Sequence, residues 1–270
     1  MIRDSQIILR VLSGSEALGC STGEGDRDET AVCIEDISQF VRLGQPFEQE
    51  IRRSAVERTG VKDSKSEAGD TDLTIFSLRK FCRLAANGNP SSLEVLFAPI
   101  LYFRAPAGWL REMAPVFVSK EAGARYLGYM QGQRQRLLGE RGQKRIKRPD
   151  LEAEYGFDTK YAYHIIRLGF QGIELMETGK LQVPIDPDRR SILTGVRSGD
   201  FSLEQVISMS DGIERDLKKA RDNSKLPEHP DRPAIEEFLQ RVYLETWKAR
   251  QLALRPERLG FVEYTKEKLQ

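Results

Sequence analysis

Two aspartates one residue apart, Asp26 and Asp28, precede an apolar run and have a spacing that could support metal chemistry. Side chains two positions apart on a β-strand point to the same face, so these carboxylates would lie about 7 Å apart. Arg27 points to the other face and cannot neutralise both. A divalent cation relieves the repulsion, and Mg²⁺ is usually held by one or two carboxylates plus substrate phosphates. The pair alone also fits a solvated strand edge.

A second pair with the same spacing, Asp70 and Asp72, stands where the apolar run TDLTIFSL begins. Asp72 is embedded in the run, whereas Asp70 is at its edge. If this strand lies beside the one that Asp28 enters, Asp72 completes a triad of carboxylates with Asp26 and Asp28. Three carboxylates can hold two Mg²⁺ ions, or Mn²⁺, about 4 Å apart, and two such ions stabilise the attacking and leaving oxygens of a phosphoryl displacement.

A Gly-Ser pair, Gly14 and Ser15, directly follows the first apolar strand of the chain. Glycine at a strand end permits close backbone approach, and successive N–H groups there can bind phosphate oxygens. The Ser15 hydroxyl adds a donor, and a helix starting after it would direct its positive end toward an anion. The pair predicts a phosphate-binding turn beside the aspartates.

A polar stripe runs along the most apolar helical segment, residues 157–178. Lys160, His164, Arg167 and Gln171 recur at helical spacing on one face, and nearly all other positions are apolar or small. Positive charge on a mostly buried helix favours an anionic ligand such as the phosphates of a nucleotide. Two other interpretations stay open: the stripe is a solvated face, or it pairs with acids of another helix.

The apolar patterning predicts an α+β protein with strands early in the chain and helices late. Strands are expected at residues 6–12, 27–35 and 71–78, and the polar span 39–69 is expected to contain an exposed loop. The expected helices follow at residues 78–88, from Pro90, and at 119–138, 157–178, 201–220 and 233–250. The boundary between an α+β domain, 1–115, and a helical domain, 116–270, is placed near residue 115.

Composition excludes several classes of protein. Lys and Arg number 42 against 41 Asp and Glu, so no overall charge favours nucleic acid or membrane, and no run of about 20 apolar residues predicts a membrane span. The three cysteines show no Cys-x-x-Cys spacing, which indicates a protein of the reducing cytoplasm. One local patch in residues 139–156, an expected linker or lid, could contact an RNA or DNA backbone: Arg141, Lys144, Arg145, Lys147 and Arg148.

The order of these motifs resembles the nucleotidyltransferase superfamily typified by DNA polymerase beta, with Gly-Ser, then Asp-x-Asp, then a third acid. Three blocks are similar to the branch called the RNA repair pathway DNA polymerase beta family. They are GSEALGCSTGEGDRD, DLTIFSLRKFCRLAANGNPSSLEVLFAP and KYAYHIIRLGFQGIELMETGKLQVP. The resemblance implies a small mixed β-sheet, palm-like, with a C-terminal helical domain closing over the nucleotide. It also implies that Asp26, Asp28 and Asp72 are the catalytic metal ligands and that Gly14 and Ser15 contact the triphosphate.

The function expected from these residues is transfer of a nucleoside monophosphate from a nucleoside triphosphate to an acceptor hydroxyl, with release of pyrophosphate. The acceptor is expected to be RNA, such as a tRNA 3′ end, or another polynucleotide. Two alternatives stay open. The same chemistry could act on a protein hydroxyl, as in an AMP-adding toxin or regulator, or the protein could bind a nucleotide as a non-catalytic sensor.

Overall fold

The computed structural model describes residues 1–21, 26–61, 64, 66–67, 69–140 and 148–253. A five-stranded mixed sheet has the order β3-β4-β2-β1-β5. Its strands are β1 (Ile7–Leu12), β2 (Arg27–Cys33), β3 (Gln49–Arg53), β4 (Thr71–Ser77) and β5 (Ile100–Phe103). The α+β class predicted from the sequence is confirmed, and so are three expected strands at nearly the expected bounds.

Helices occupy most of the chain after β4. In the first half lie α1 (Gly14–Ala17), α2 (Ile37–Phe40), α3 (Ser54–Thr59), α4 (Leu78–Ala86), α5 (Pro90–Val95), α6 (Ala107–Glu112) and α7 (Ala114–Phe117). In the second half lie α8 (Lys120–Leu137), α9 (Pro149–Tyr155), α10 (Thr159–Thr178), α11 (Pro187–Ser198), α12 (Leu203–Asn223) and α13 (Arg232–Ala253). None of the helices in the described ranges is long and apolar enough to cross a membrane.

The central strands β2 and β4 pair in parallel, and this pairing sets the geometry of the candidate site. Both begin polar and end buried: Ala31 to Cys33 are buried in β2, and Leu73 and Ile75 in β4. Because the strands are parallel, their amino-terminal ends meet at the same edge of the sheet. Asp28 stands directly opposite Asp72 in the register, as the triad hypothesis requires.

The polar span 39–69, which was expected to contain an exposed loop, also holds a strand and a helix that were not predicted. β3 pairs antiparallel with β4, and α3 follows it directly. β3 reads Gln-Glu-Ile-Arg-Arg and is an edge strand with no buried residue, so it lacks the apolar alternation that marks a half-buried strand. The short edge strand β5 and helix α11 were likewise not predicted, and α9 lies within the segment 139–156 that was expected to be a linker or lid.

Helix α10 is the centre of the helical half of the protein. It begins at an Asp158 cap, whose carboxylate accepts the backbone N–H groups of Lys160 (2.9 Å) and Tyr161 (3.1 Å), and it ends at Gly179, which adopts a left-handed φ of 71°. α8, α11 and α12 all pack against it. This enclosure explains its nearly continuous apolar composition and fixes the position of its polar stripe.

One hydrophobic cluster joins the sheet to these helices: it includes Leu9 and Val32 from the sheet and Ile165 and Val206 from the helices. The domain boundary near residue 115 stays a prediction. α13 returns from the far end of the chain to the opposite end of β2. There the Tyr243 hydroxyl donates to Glu35 (2.9 Å) and accepts from the backbone N–H of Arg79 (3.1 Å). Burial raises the pKa of the Glu35 carboxyl.

Removing this hydroxyl should weaken the attachment of α13 to the sheet. Tyr243→Phe leaves one buried oxygen of Glu35 without its donor, so we expect the free energy of unfolding to fall by about 1–3 kcal/mol in urea denaturation. The control is Tyr129→Phe, whose ring is half exposed and whose hydroxyl accepts from Asn89 at the surface; its effect should stay within about 0.5 kcal/mol. Equal effects of the two changes would contradict a stabilising role for the Glu35 contact.

Candidate active site

A cavity of about 330 Å³ opens between the amino-terminal edge of β2 and β4 and one face of α10. Every site residue predicted from the sequence lines it. The lining includes Gly14, Ser15, Asp26, Asp28, Asp72, Lys160, His164 and Arg167, together with Ser13, Ser91, Glu94 and Arg197. Residues separated by more than 150 positions in the chain therefore meet at one site.

The three carboxylates of the predicted triad interact electrostatically. Burial, followed by the charges of Asp26 and Asp72, raises the pKa of Asp28, and only Lys160 among its main charged neighbours lowers it. Arg27 points away, as predicted, and pairs with Glu29 (2.8 Å). Asp28 therefore experiences a net repulsion from the other two carboxylates, which Lys160 only partly offsets.

Asp70 takes no part in this cluster. Its carboxylate accepts the backbone N–H of Glu67 (2.9 Å), pairs with Arg58 (2.8 Å) and accepts the Ser54 hydroxyl (2.8 Å). These hydrogen bonds, the one from Glu67 first, lower the pKa of Asp70 to about 2. Asp70 thus holds the connection between α3 and β4, and it is Asp72 that faces the cavity.

The carboxylates fit a divalent cation by their donor chemistry and by their unrelieved negative charge. Asp72, however, has protein partners: the Ser66 hydroxyl donates to it (3.0 Å), and the Arg53 guanidinium lies 3.4 Å from its other oxygen. Within the ranges that the structure describes, no three His, Cys, Asp or Glu side chains are arranged as metal ligands. In this structure both oxygens of the Asp72 carboxylate are therefore occupied by Ser66 and Arg53.

Glycine is required at position 14 by its close contact with Asp28, independently of any role in phosphate binding. It adopts φ +67°, and a Cβ there would lie 2.9 Å from the Cβ of Asp28. The adjacent Ser13 N–H donates to the Asp28 carbonyl oxygen (2.9 Å), which holds the turn against β2. Ser15 is exposed at the cavity wall in the four-residue helix α1. Only glycine allows the turn to approach the aspartate this closely.

The polar stripe of α10 carries less free charge than its composition suggests. Arg167 forms an ion pair with Glu94 of α5 (3.1 Å), and the Gln171 amide donates to the same carboxylate (3.0 Å). For Arg167, pairing with an acid of another helix is therefore the observed arrangement. Burial, then the charges of Arg167 and Lys160, lowers the pKa of His164 to about 3, so this side chain is neutral. The remaining cation of the stripe, Lys160, interacts electrostatically with Asp26 and Asp28.

Sequence reasoning missed Arg197, which enters the cavity from α11. The signals for that helix were available: Asp186 caps its start, Pro187 occupies its first position and Gly199 ends it. Of the basic patch at 141–148, Arg148 is described; it pairs with Asp158 (2.8 Å) and lies over the Tyr161 ring. Outside the described residues lie Arg141, Lys144, Arg145 and Lys147.

Replacement of Gly14 should lower the free energy of unfolding by more than backbone strain alone explains. Gly14→Ala combines a left-handed φ with a clash against Asp28, whereas Gly60→Ala has a similar φ of +69° and open space around it. We expect Gly60→Ala to cost about 1–2 kcal/mol of unfolding free energy and Gly14→Ala to cost more. The measurement is urea denaturation of both variants, and equal costs would show that the Asp28 contact is unimportant.

The neutral state of His164 predicts a specific acid sensitivity. The folded protein resists protonation of this imidazole until about pH 3, whereas an unfolded histidine takes up a proton near 6.5. Stability is therefore lost as pH falls through that interval, by up to about 1.4 kcal/mol per pH unit from this group. Wild type should lose more stability than His164→Gln between pH 7.5 and 5. In a His229→Gln background, which leaves one histidine, the His164 ring resonances should not titrate between pH 5 and 8; titration there would refute the assignment.

The comparisons with known proteins agree with the motifs. The profile of the RNA repair pathway DNA polymerase beta family matches residues 2–242. The comparison with curated proteins found no match. Among solved structures, a nucleotidyltransferase-like protein from Exiguobacterium sibiricum 255-15 is similar over 80% of this chain and 70% of its own, with 14% identity and a TM-score of 0.30, too low to support an inference about the site. The chain belongs to the RNA repair pathway DNA polymerase beta family, a nucleotidyltransferase-like family, as its motif order predicted.

Proposed function

We propose that this protein transfers a nucleoside monophosphate from a nucleoside triphosphate to an acceptor hydroxyl and releases pyrophosphate. One observation carries the proposal: Asp28 and Asp72 lie opposite each other on parallel strands, with Asp26 beside them, and Lys160 faces them in the same cavity. A group of acids facing a cation suits a substrate that needs a divalent cation at its reacting end and positive charge along its phosphates. Membership of a nucleotidyltransferase-like family supports the same activity.

The metal ligands in this proposal are Asp26, Asp28 and Asp72. Two Mg²⁺ or Mn²⁺ ions held by these residues would neutralise phosphate oxygens and lower the pKa of the acceptor hydroxyl. The raised pKa of Asp28 supports this assignment, because a cation would stabilise the ionised carboxylates that now repel one another. For Asp72 to serve as a ligand, its contacts with Ser66 and Arg53 must be exchanged for the ion.

The remaining residues bind and orient the substrate. Backbone N–H groups at Gly14 and Ser15, with the Ser15 hydroxyl, bind phosphate oxygens, and Lys160 neutralises charge on the leaving pyrophosphate. Neutral His164 contributes hydrogen bonds without adding charge, while Glu94 holds Arg167 at the cavity wall. The acceptor hydroxyl gives its proton to Asp72 as its oxygen bonds to the α-phosphorus. The bond from the α-phosphorus to the bridging oxygen breaks, and pyrophosphate leaves with that electron pair.

We propose RNA, such as a tRNA 3′ end, or another polynucleotide as the acceptor. The family description supports RNA. The two competing functions, transfer to a protein hydroxyl and nucleotide sensing without transfer, are outcomes of the experiment below.

The experiment incubates the protein with each α-³²P-labelled nucleoside triphosphate, Mg²⁺, and total RNA, DNA or cell lysate protein. Label should appear in RNA. Asp26→Ala and Asp28→Ala should each reduce transfer by about 10³-fold or more, because the metal supplies several kcal/mol of transition-state stabilisation. Thermal melting should show both variants folded, since each removes a repelling charge. Asp150→Ala, an exposed acid on α9, is the matched control and should retain full transfer.

Three results would overturn parts of this proposal. Transfer that survives in both aspartate variants would remove the metal assignment. Label found only in protein bands would replace RNA by a protein hydroxyl as the acceptor, and nucleotide binding without any transfer would favour the sensor.

A further inference from the structure

Arg197 carries a half-buried guanidinium group in which one nitrogen lacks a hydrogen-bond partner. Its Nη1 is buried and has no hydrogen-bond partner among the residues that the structure describes. Burial, and then the charge of Arg148, lowers its pKa. A buried unpaired donor on a charged side chain is costly unless a ligand supplies the missing acceptor.

Asp158 is the carboxylate whose charge acts most on Arg197, but its oxygens are already bound to other groups. It accepts the backbone N–H groups of Lys160 and Tyr161 as the cap of α10, and it pairs with Arg148 at 2.8 Å. Asp158 is also almost completely buried, so it cannot turn toward the cavity without losing these contacts. The charge of Asp158 acts on Arg197, but Asp158 accepts no hydrogen bond from the Arg197 Nη1, so this donor is left for a group that enters the cavity.

The charges in the cavity follow an order from acidic to basic. The charges of Asp26, Asp28, Arg148 and Arg197 all act on Lys160. The main charged neighbours of Asp28 are Asp26, Asp72 and Lys160, and those of Arg197 do not include the three cavity aspartates, although Arg197 lines the same cavity. This pattern indicates that Arg197 lies farther from the aspartates, and so from the reacting phosphorus, than Lys160 does.

This order fits a ligand with several linked negative charges. A single phosphate beside Lys160 would leave the Arg197 guanidinium unpaired. A polyphosphate that extends from the aspartates past Lys160 brings its terminal group to Arg197, whose planar fork suits two oxygens of one phosphate. Neutral His164 and Glu94-paired Arg167 do not compete for that group.

We propose that Arg197 binds the terminal phosphate of the incoming nucleotide and thereby makes the protein select triphosphates over shorter phosphate chains. This inference rests on the proposed nucleotidyl transfer, whose leaving group is the pyrophosphate that Arg197 and Lys160 would bind together. It assigns α11 to substrate selection.

Calorimetric titration with inorganic tripolyphosphate, pyrophosphate and phosphate, each with saturating Mg²⁺, tests the selection without knowledge of the base. Wild type should bind tripolyphosphate at least about 10-fold more tightly than pyrophosphate. Arg197→Ala should weaken tripolyphosphate binding by about 10- to 100-fold, since a charged hydrogen bond is lost, and should remove the preference. Arg197→Lys keeps the charge but not the fork and should recover part of it.

The matched control is Arg215→Ala, an exposed arginine of α12 that does not line the cavity and should bind as wild type does. Thermal melting checks that every variant is folded, and Arg197→Lys serves as the readout if Arg197→Ala is unfolded. If Arg197→Ala and Arg197→Lys keep the wild-type preference, or if wild type shows none, the inference is wrong and nucleotidyl transfer can still be correct. If wild type binds none of the three anions and transfers no label, both proposals fail.

Discussion

Parallel pairing of β2 with β4 is the constraint on which the rest of the site depends. Its register places Asp28 opposite Asp72 and leaves Asp26 at the same edge, so the backbone hydrogen bonds of a buried sheet bring like charges together. Burial, and then the charges of Asp26 and Asp72, raise the pKa of Asp28. Because the sheet is stabilised by its buried apolar residues, the carboxylates cannot separate without loss of that burial. An arrangement with repulsion built into it suits a site completed by a cation.

Helix α10 provides positive charge opposite the aspartates, but only part of its polar stripe contributes to it. Of its polar stripe, Arg167 is paired with Glu94 and His164 is held neutral, which leaves Lys160 facing the aspartates. A fully charged stripe would be strongly disfavoured in a helix packed on three sides. Of the cations in the stripe, Arg167 is thus held in an ion pair inside the protein and Lys160 faces the site. Arg197 of α11 is a further cation in the same cavity.

The two strands missed by sequence reasoning, β3 and β5, share a physical cause. β3 is an exposed edge strand with a single apolar residue, Ile51, and β5 has apolar residues at all four positions with none buried, so neither shows the alternation of a half-buried strand. β3 forms because β4 offers it a row of unpaired backbone groups, and β5 forms beside β1 in the same way. Local patterning is silent about such strands because their stability comes from a partner distant in sequence.

The sequence by itself determined the features that depend on local spacing: the shared face of Asp26 and Asp28, the apolar strand around Asp72, the glycine at position 14, the buried character of α10 and the family. The strand and helix features follow from backbone periodicity, since side chains repeat every two residues in a strand and about every 3.6 in a helix, whereas the family follows from the order of the motifs. Tertiary structure decided the rest. It bound Asp70 to Arg58 and Ser54, neutralised His164, paired Arg167 with Glu94 and brought Arg197 into the cavity. The protonation state of a side chain and its ion-pair partners depend on burial and on neighbours tens to hundreds of residues away, so local spacing does not predict them.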